Sequence, residues 1–368
     1  MQDKINSHKL VDLQTGEIFY ESERLIDEKN GKKIEWSKYK AKSDKLSEVY
    51  LRLSESQETE YYKKRAMRVL ECGSVLVYQY FPTLGEMKLH QVHFCKVRLC
   101  PMCSWRRSLK VFGQVSKVMD YMTERTDYEY IFLTLTARNV SGEKLKRELD
   151  KYFKAFDKLT RRKDFKAVSK GYFRCLEVTR NWGEDTYHPH FHVIIAVSKS
   201  YFKDTKYYIS QKRWAEIWQS CMGIEYEPIV DVRKVKPMGE ATEGEPFSVK
   251  YSKAVAEVAK YTVKSSDVIC ELSKKEKKKL NKELQEHFEK ECQRLTDETV
   301  MTLDEALKNR RLIAFGGELK AAHKALSLDD TLDGDLINTD NEEKIRDDLQ
   351  FVLLEYRWVV GLADYFRV

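Results

Sequence analysis

The 368-residue sequence contains no run of apolar residues that approaches the ~18 needed to cross a bilayer. Its first residues, MQDKINSHKL, are polar and lack the apolar core of a secretory signal. These absences predict a cytoplasmic protein that neither spans a membrane nor is exported. In that reducing compartment the eight cysteines are expected to be free thiols or metal ligands rather than disulfides. With 42% hydrophobic residues, the chain can fill the cores of two or three domains.

Acidic residues are scarce in one segment and abundant in another. Residues 61–118 contain 11 Lys and Arg against 2 Asp and Glu, a net charge of +9, whereas residues 329–348 contain 2 against 9, a net charge of −7. A concentrated basic segment is typical of a protein that binds a polyanion, although an ordinary solvated surface can have the same composition.

Strand-like and helical segments alternate along the middle of the chain. The runs YIFLTLTARN, GYFRCLEVTRN, YHPHFHVIIAV and EPIVDVRKV have the composition and patterning of strands, and amphipathic helical stretches lie between several of them. Two shorter strand-like runs, SVLVYQYF and KLHQVHF, lead into a cluster of cysteines. This order predicts an α+β fold with one mainly antiparallel sheet and helices packed on a face.

The cysteine cluster has the spacing of a metal site. CKVRLCPMCSWRR contains Cys95, Cys100 and Cys103, and Cys72 in ECGS is the natural fourth ligand. Thiolates at this spacing can bind one Zn²⁺ tetrahedrally, and four protein ligands leave no open position, so we predict a structural zinc. His93 could replace one of the thiolates.

Other residues near the cluster and elsewhere receive simpler interpretations. Basic side chains beside the cluster could contact DNA phosphates: Arg98, Arg106, Arg107 and Lys110. The remaining cysteines have no partner spacing and are interpreted as small buried hydrophobic residues: Cys175, Cys221, Cys270 and Cys292.

Three histidines alternate along one predicted strand. His188, His190 and His192 therefore point to the same face of the sheet. A single histidine there would be read as part of a polar strand surface, but three in register ahead of an apolar run favour a metal site. Neutral imidazoles bind divalent transition ions, and added carboxylates suit Mg²⁺ or Mn²⁺.

A predicted helix in AVAEVAKYTVKSSD carries a second reactive group. Glu257, Tyr261 and Lys264 are spaced i, i+4 and i+7, which places them on one helix face. A tyrosine hydroxyl can attack a phosphodiester that a metal ion polarises, giving a phosphotyrosine and a free 3′-OH. Glu257 could be the general base for a later attack, and Lys260 or Lys264 could lower the pKa of the phenol or steady the phosphate charge. Packing is the alternative role of Tyr261, one of 21 tyrosines.

Together these motifs resemble those of HUH endonucleases. HPHFHVIIAV contains their His-hydrophobe-His motif, EVAKYTVK looks like their single-tyrosine motif, and FLTLTARN resembles the strand motif that precedes both. CKVRLCPMCSWRR is similar to the cysteine motif of bacterial plasmid rolling-circle replication initiators. The motifs occur in the family's order, over about residues 65–325. The resemblance implies a palm-like sheet, an ion held by the histidine pair and an acidic residue, and site-specific nicking of single-stranded DNA at a plasmid origin.

For the acidic ligand we choose Glu177, on the strand before the histidines, because a neighbouring antiparallel position can bring its carboxylate beside the imidazoles. A strand-edge salt bridge is the alternative. The motif requires only His190 and His192, so His188 is either a further ligand, a hydrogen-bond donor behind the ligands, or a DNA contact.

The resemblance also implies a reaction cycle and its partners. The protein would bind duplex origin DNA, open or capture a hairpin, and nick one strand through Tyr261, leaving a 3′-OH that primes a host polymerase. A host helicase is an expected partner, and a homodimer would supply a second Tyr261 for the terminating cut.

The predicted segments are a polar and helical N-terminal region at 1–60, a zinc-binding basic module at 61–118, an HUH nuclease domain with the tyrosine helix at 119–270, and a charged helix with a helical C-terminal region at 271–368.

Two alternatives stay open. A relaxase or a single-strand transposase of the same superfamily would use the same chemistry, although the cysteine motif favours replication. A non-catalytic, zinc-dependent DNA-binding regulator would contain the same cysteines and use the histidines only structurally.

Overall fold

A computed structural model describes residues 8–29, 31–236, 252–259, 263–278, 280–330, 333–339 and 349–368. The chain forms two compact units, one of residues 1–106, 336–338 and 342–368, the other of residues 107–335 and 339–341. This division differs from the four predicted segments, because its first boundary falls inside a helix and the C-terminal residues belong to the N-terminal unit. None of the helices in the described ranges is long and apolar enough to cross a membrane.

Strands and helices account for most of the described chain. The strands are β1 (Lys9–Val11), β2 (Ile18–Tyr20), β3 (Glu28–Lys29), β4 (Lys32–Lys33), β5 (Val75–Phe81), β6 (Glu86–Val92), β7 (Glu129–Thr136), β8 (Ser169–Asn181), β9 (Thr186–Val197), β10 (Val230–Lys234), β11 (Ile313–Gly316), β12 (Val352–Val359) and β13 (Asp364–Arg367). The helices are α1 (Trp36–Ser56), α2 (Glu60–Glu71), α3 (Pro101–Arg125), α4 (Gly142–Arg161), α5 (Lys163–Val168), α6 (Gln211–Met222), α7 (Ser252–Val258), α8 (Lys274–Lys277), α9 (Lys282–Leu307) and α10 (Gly317–Ala325).

The first unit contains a four-stranded antiparallel sheet in the order β13-β12-β5-β6. The region 271–368, predicted as a charged helix and a helical C-terminal region, contains α9 and α10 and also the strands β11, β12 and β13. Residues of β12 alternate in burial so that Tyr356 and Trp358 enter the core, and Tyr356 pairs with Leu76 of β5. A strand forms there because the alternating apolar residues can be buried while the backbone of β12 pairs with the open edge of the β5–β6 hairpin.

The second unit is built on a five-stranded sheet in the order β10-β7-β9-β8-β11, with every neighbouring pair antiparallel. This confirms the predicted α+β fold with a mainly antiparallel sheet. Phe191 of β9 packs against Phe156 of α4 and Trp218 of α6. The helices therefore cover the apolar face of β9, and its alternate residues, the histidines, lie on the opposite face.

Candidate active site and metal centres

The register of the central strands brings the predicted ligands together. Glu177 of β8 lies opposite His190 of β9, and on the other side of β9 Thr134 lies opposite His192. Paired residues of antiparallel strands point to the same face, so these four side chains share one surface of the sheet. The neighbouring antiparallel position predicted for Glu177 is the one that it occupies.

One carboxylate oxygen is shared by two imidazoles. Oε2 of Glu177 lies 2.9 Å from Nε2 of His190 and 2.9 Å from Nε2 of His192. The three ligand atoms all lie within 4.8 Å of one another. Two ligands at about 2.1 Å from an ion and at right angles to each other are about 3 Å apart. The donor spacing and the mixed nitrogen and oxygen donors therefore fit adjacent positions around one divalent ion.

The carboxylate of Glu177 is ionised in this arrangement. Burial raises the pKa of Glu177, but hydrogen bonds from His190 and His192 and the ammonium of Lys264 outweigh burial and hold the pKa well below its usual range. A carboxylate binds a hard cation only in its ionised form, so the site keeps the form of Glu177 that can be a ligand.

Backbone and hydroxyl groups orient the two imidazoles from behind. Nδ1 of His190 lies 3.3 Å from the carbonyl oxygen of His188. A proton on Nδ1 is donated to this carbonyl and leaves Nε2 free to bind an ion, whereas a proton on Nε2 is donated to Glu177. Nδ1 of His192 lies 3.4 Å from Oγ1 of Thr134, a longer contact that can hold the same tautomer. Both contacts direct the Nε2 atoms toward Glu177, as partners of metal-bound histidines commonly do. Thr134 was missed by the sequence reasoning, although its place in FLTLTARN was a signal.

His188 itself does not join the three ligands. The group that could hold an ion contains Glu177, His190 and His192, and the ring centroids of His188 and His190 are 5.5 Å apart. The prediction of His188 as a direct ligand is therefore corrected. Its backbone carbonyl contacts Nδ1 of His190, and its imidazole packs edge-on against the ring of His190.

Lys264 reaches the other oxygen of the same carboxylate. Its Nζ lies 2.7 Å from Oε1 of Glu177, and its side chain is 49% exposed. The sequence predicted Lys264 on one helix with Glu257, but α7 ends at Val258 and the backbone of Lys264 is extended (φ −78°, ψ 151°). The i, i+7 relation is therefore wrong, and the ion pair with Glu177 positions Lys264 instead.

The tyrosine motif is only partly described. Tyr261 and Lys260 lie outside the described residues, so their predicted roles stay predictions. Glu257 is half-buried on α7, a helix that packs beside β9. The carboxylate predicted as a general base thus belongs to an element that adjoins the histidine strand.

The four predicted cysteine ligands form a second group. Sγ of Cys72 lies 3.6 Å from that of Cys103 and 3.7 Å from that of Cys100, and Cys95 and Cys103 are 3.6 Å apart. Four sulfurs at about 2.3 Å from a tetrahedral Zn²⁺ are about 3.8 Å apart, so the spacing fits that ion. His93 is exposed and outside the group, which removes it as an alternative ligand.

The four cysteines lie at the ends of secondary-structure elements, and hydrogen bonds among the thiols shift pKa values within the group. Cys72 ends α2, Cys95 follows β6, and Cys100 and Cys103 lie at the start of α3. Burial raises the pKa of Cys100, but hydrogen bonds from the other thiols and from Ser43 lower it well below its ordinary value. Ser43 Oγ lies 3.4 Å from this sulfur. The group thus favours a thiolate, the form that binds metal, on Cys100, whereas the hydrogen bonds with Cys100 raise the pKa of Cys72 and Cys103 well above its ordinary value.

Burial contradicts three of the four predicted contacts with DNA phosphates. Arg106, Arg107 and Lys110 are each no more than 3% exposed. Nε of Arg106 donates to the carbonyl of Leu336, 2.9 Å away, and Lys110 pairs with Asp329. Distant carbonyl and acidic groups therefore pair with Arg106 and Lys110, and Arg107 is buried. Arg98 is half-buried, and its contact with DNA stays a prediction.

The remaining cysteines divide into two pairs. Cys175 and Cys221 are buried, as predicted for small hydrophobic residues. Cys270 and Cys292 are half-buried, and their Sγ atoms lie 2.7 Å apart. The expectation that these two have no partner is therefore wrong, because α9 brings Cys292 to the segment that follows Lys264.

Comparisons with known proteins identify the family of this chain. The replication protein family (Rep_1) matches residues 86–366. A "Protein rep" of Bacillus amyloliquefaciens is 39% identical over 343 residues, covering 91% of this chain and 94% of the relative. Proteins of the same name from a Bacillus species and from Streptococcus pneumoniae are 40% and 34% identical, covering 86% and 87% of this chain and 97% and 89% of the relatives. No solved structure matches. The chain therefore belongs to the replication protein family, which confirms its resemblance to plasmid rolling-circle replication initiators.

Proposed function

We propose that this plasmid replication initiator nicks and transfers single-stranded origin DNA in a metal-dependent reaction through Tyr261. The observation that carries the proposal is the contact of one Glu177 oxygen with both imidazole Nε2 atoms at 2.9 Å. Such a convergence of a buried carboxylate and two oriented imidazoles is costly without an ion or a proton to compensate it, and it is typical of a metal centre.

Glu177, His190 and His192 would hold Mg²⁺ or Mn²⁺. When bound, the ion supplies Lewis-acid polarisation of the scissile phosphate. Tyr261 forms the bond from its phenolic oxygen to phosphorus, and the bond from phosphorus to the 3′ oxygen breaks. The phenol loses its proton, the 3′ oxygen gains one, and the DNA is left as a 5′-phosphotyrosine and a free 3′-OH. Lys264 would offset charge beside Glu177 and the phosphate.

The second cleavage that ends a replication round needs another nucleophile, because Tyr261 is consumed in the first. Glu257 would activate water for this step, from the helix that packs beside β9. Alternatively, the Tyr261 of a second protomer would be the nucleophile of the second cleavage. The origin hairpin, the host helicase and the host polymerase complete the proposed cycle, and Cys72, Cys95, Cys100 and Cys103 would bind a structural Zn²⁺.

A covalent-adduct assay tests the proposal. The protein is incubated with a labelled single-stranded origin oligonucleotide and Mn²⁺, and a protein–DNA band that resists denaturation is expected. Tyr261→Phe should lose the band and keep origin binding, because it removes only the nucleophilic oxygen. His190→Ala should lose metal-dependent cleavage and keep the full zinc content.

A non-catalytic regulator is the competing function. It would bind the oligonucleotide without a covalent band at any Mn²⁺ concentration. An adduct that persists in Tyr261→Phe would exclude this tyrosine as the nucleophile. A loss of zinc in His190→Ala would show that the histidine group, and not the four cysteines, binds the zinc.

A further inference from the structure

Cys270 and Cys292 approach each other in a way that the four-cysteine group does not. Their Sγ atoms lie 2.7 Å apart, whereas neighbouring sulfurs of that group lie 3.6 and 3.7 Å apart. Two thiolates on one tetrahedral ion are about 3.8 Å apart, so a shared metal does not account for the closer contact. The pair is a contact between two thiols.

The backbone, and not only the side chains, holds the two cysteines together. The amide of Cys270 donates to Oγ1 of Thr296 at 3.0 Å, and this hydroxyl donates to the carbonyl of Cys292 at 2.7 Å. Thr296 therefore links the main chains of both residues. A bond between the two sulfurs requires this kind of fixed approach, because misaligned cysteines must move their backbone to join.

We propose that Cys270 and Cys292 form a reversible disulfide, with a small-molecule disulfide as the oxidant. Both side chains are half-buried, so an oxidant can reach them, whereas Cys175 and Cys221 are buried. This modification site shares no residue with the two metal groups.

The exchange proceeds in two balanced steps. Cys292 loses its proton and attacks one sulfur of the oxidant, which forms a mixed disulfide and releases the first small thiol. Cys270 then loses its proton and attacks the Cys292 sulfur, which releases the second thiol. Two protein thiols are oxidised, and one small-molecule disulfide is reduced to two thiols.

The hydrogen bond supports this order of attack. Burial and the bond that Cys270 donates to Cys292 raise the pKa of Cys270 to about 12. Cys270 is therefore protonated near neutral pH and acts second, when the mixed disulfide stands beside it.

The disulfide would fix a segment that contacts the candidate active site. Lys264 pairs with Glu177 near one end of this segment, and the backbone amide of Arg180 donates to Asp267 at 3.1 Å. Cys270 lies at the other end, against α9. Oxidation would close a loop between Cys270 and Cys292 and restrict the unfolded chain, so thermal unfolding should shift upward by about 5 °C.

Peptide mapping of the oxidised protein tests the site. The zinc-loaded full chain is treated with oxidised glutathione, its remaining thiols are alkylated, and its peptides are identified by mass spectrometry. The expected product joins the peptides of Cys270 and Cys292 with the loss of two hydrogen atoms, and dithiothreitol reverses it. Alkylation of both residues, or a lasting glutathione adduct on either one, would overturn the proposal.

A single substitution provides the second measurement. Cys270→Ser removes the resolving thiol, so a glutathione adduct should persist at Cys292 and the unfolding temperature should not rise on oxidation. Cys221→Ser is the matched control and should behave like the unsubstituted protein. A rise in Cys270→Ser equal to that of the unsubstituted protein would assign the effect to other cysteines and contradict the proposal.

Discussion

Nζ of Lys264 lies 2.7 Å from Oε1 of Glu177, while Oε2 of the same carboxylate faces both histidines. The carboxylate thus has one oxygen for an ammonium and one for the candidate ion. The ammonium of Lys264 therefore lies beside the candidate site and leaves the ligand oxygen of Glu177 unoccupied.

Replacing Lys264 separates metal binding from cleavage. We expect Lys264→Met to lower the single-turnover cleavage rate at saturating Mn²⁺ about tenfold or more, because developing phosphate charge loses a nearby cation. Metal binding should persist, since all three ligands remain. Lys264→Arg is the control that keeps the charge. An unchanged rate in Lys264→Met would limit this residue to an ion pair.

Removing the hydroxyl behind His192 tests the orientation of the imidazole. Thr134→Val keeps the shape of the side chain and deletes the contact to Nδ1, so Mn²⁺ affinity measured by calorimetry should fall about 10-fold to 100-fold. Thr136→Val is the matched control, because Oγ1 of Thr136 donates to the carbonyl of Ile229 instead. Equal affinities in the two variants would remove the positioning role of Thr134.

The cysteine group should contribute to folding rather than to chemistry. Cys103→Ser is expected to lose one zinc per chain and to lower the unfolding temperature by about 5 °C or more, because a closed thiolate site adds its binding free energy to folding. Metal analysis and thermal unfolding measure the two effects. Cys221→Ser is the control: this cysteine is also buried but lies outside the group, so the variant should keep the full zinc content. Full zinc content in Cys103→Ser would be incompatible with a four-sulfur site.

Glu257 should matter for the second cut and not for the first. Glu257→Ala is expected to nick almost normally, because the first step needs the phenol and the ion, but to terminate poorly and accumulate overlong displaced strands. A plasmid with two origins in tandem separates the yields of the two cuts. Glu257→Gln keeps the shape of the side chain and should show the same defect.

Two other outcomes of that experiment are informative. Equal loss of both cuts would make Glu257 structural or a ligand. Unchanged termination would leave the second cut to the tyrosine of a partner protomer.

The sequence alone determined the parts of the site that depend on local periodicity. Alternation along β9 places His190 and His192 on one face, and the short C-x2-C spacing places Cys100 and Cys103 in one group of candidate ligands. Glu177 could be chosen because consecutive strands commonly pair, and a hairpin brings the preceding strand beside the histidines. Each of these relations is set by residues that are close in the chain.

Tertiary structure decided the relations between distant segments. The sequence predicts Lys110 as a DNA contact, but the fold places Asp329 beside it, and only the packing of α9 brings Cys292 to Cys270. Thr134 depends on the register between β7 and β9. Periodicity fixes which face a side chain occupies, but the identity of its neighbour depends on which remote elements can bury their apolar surfaces together.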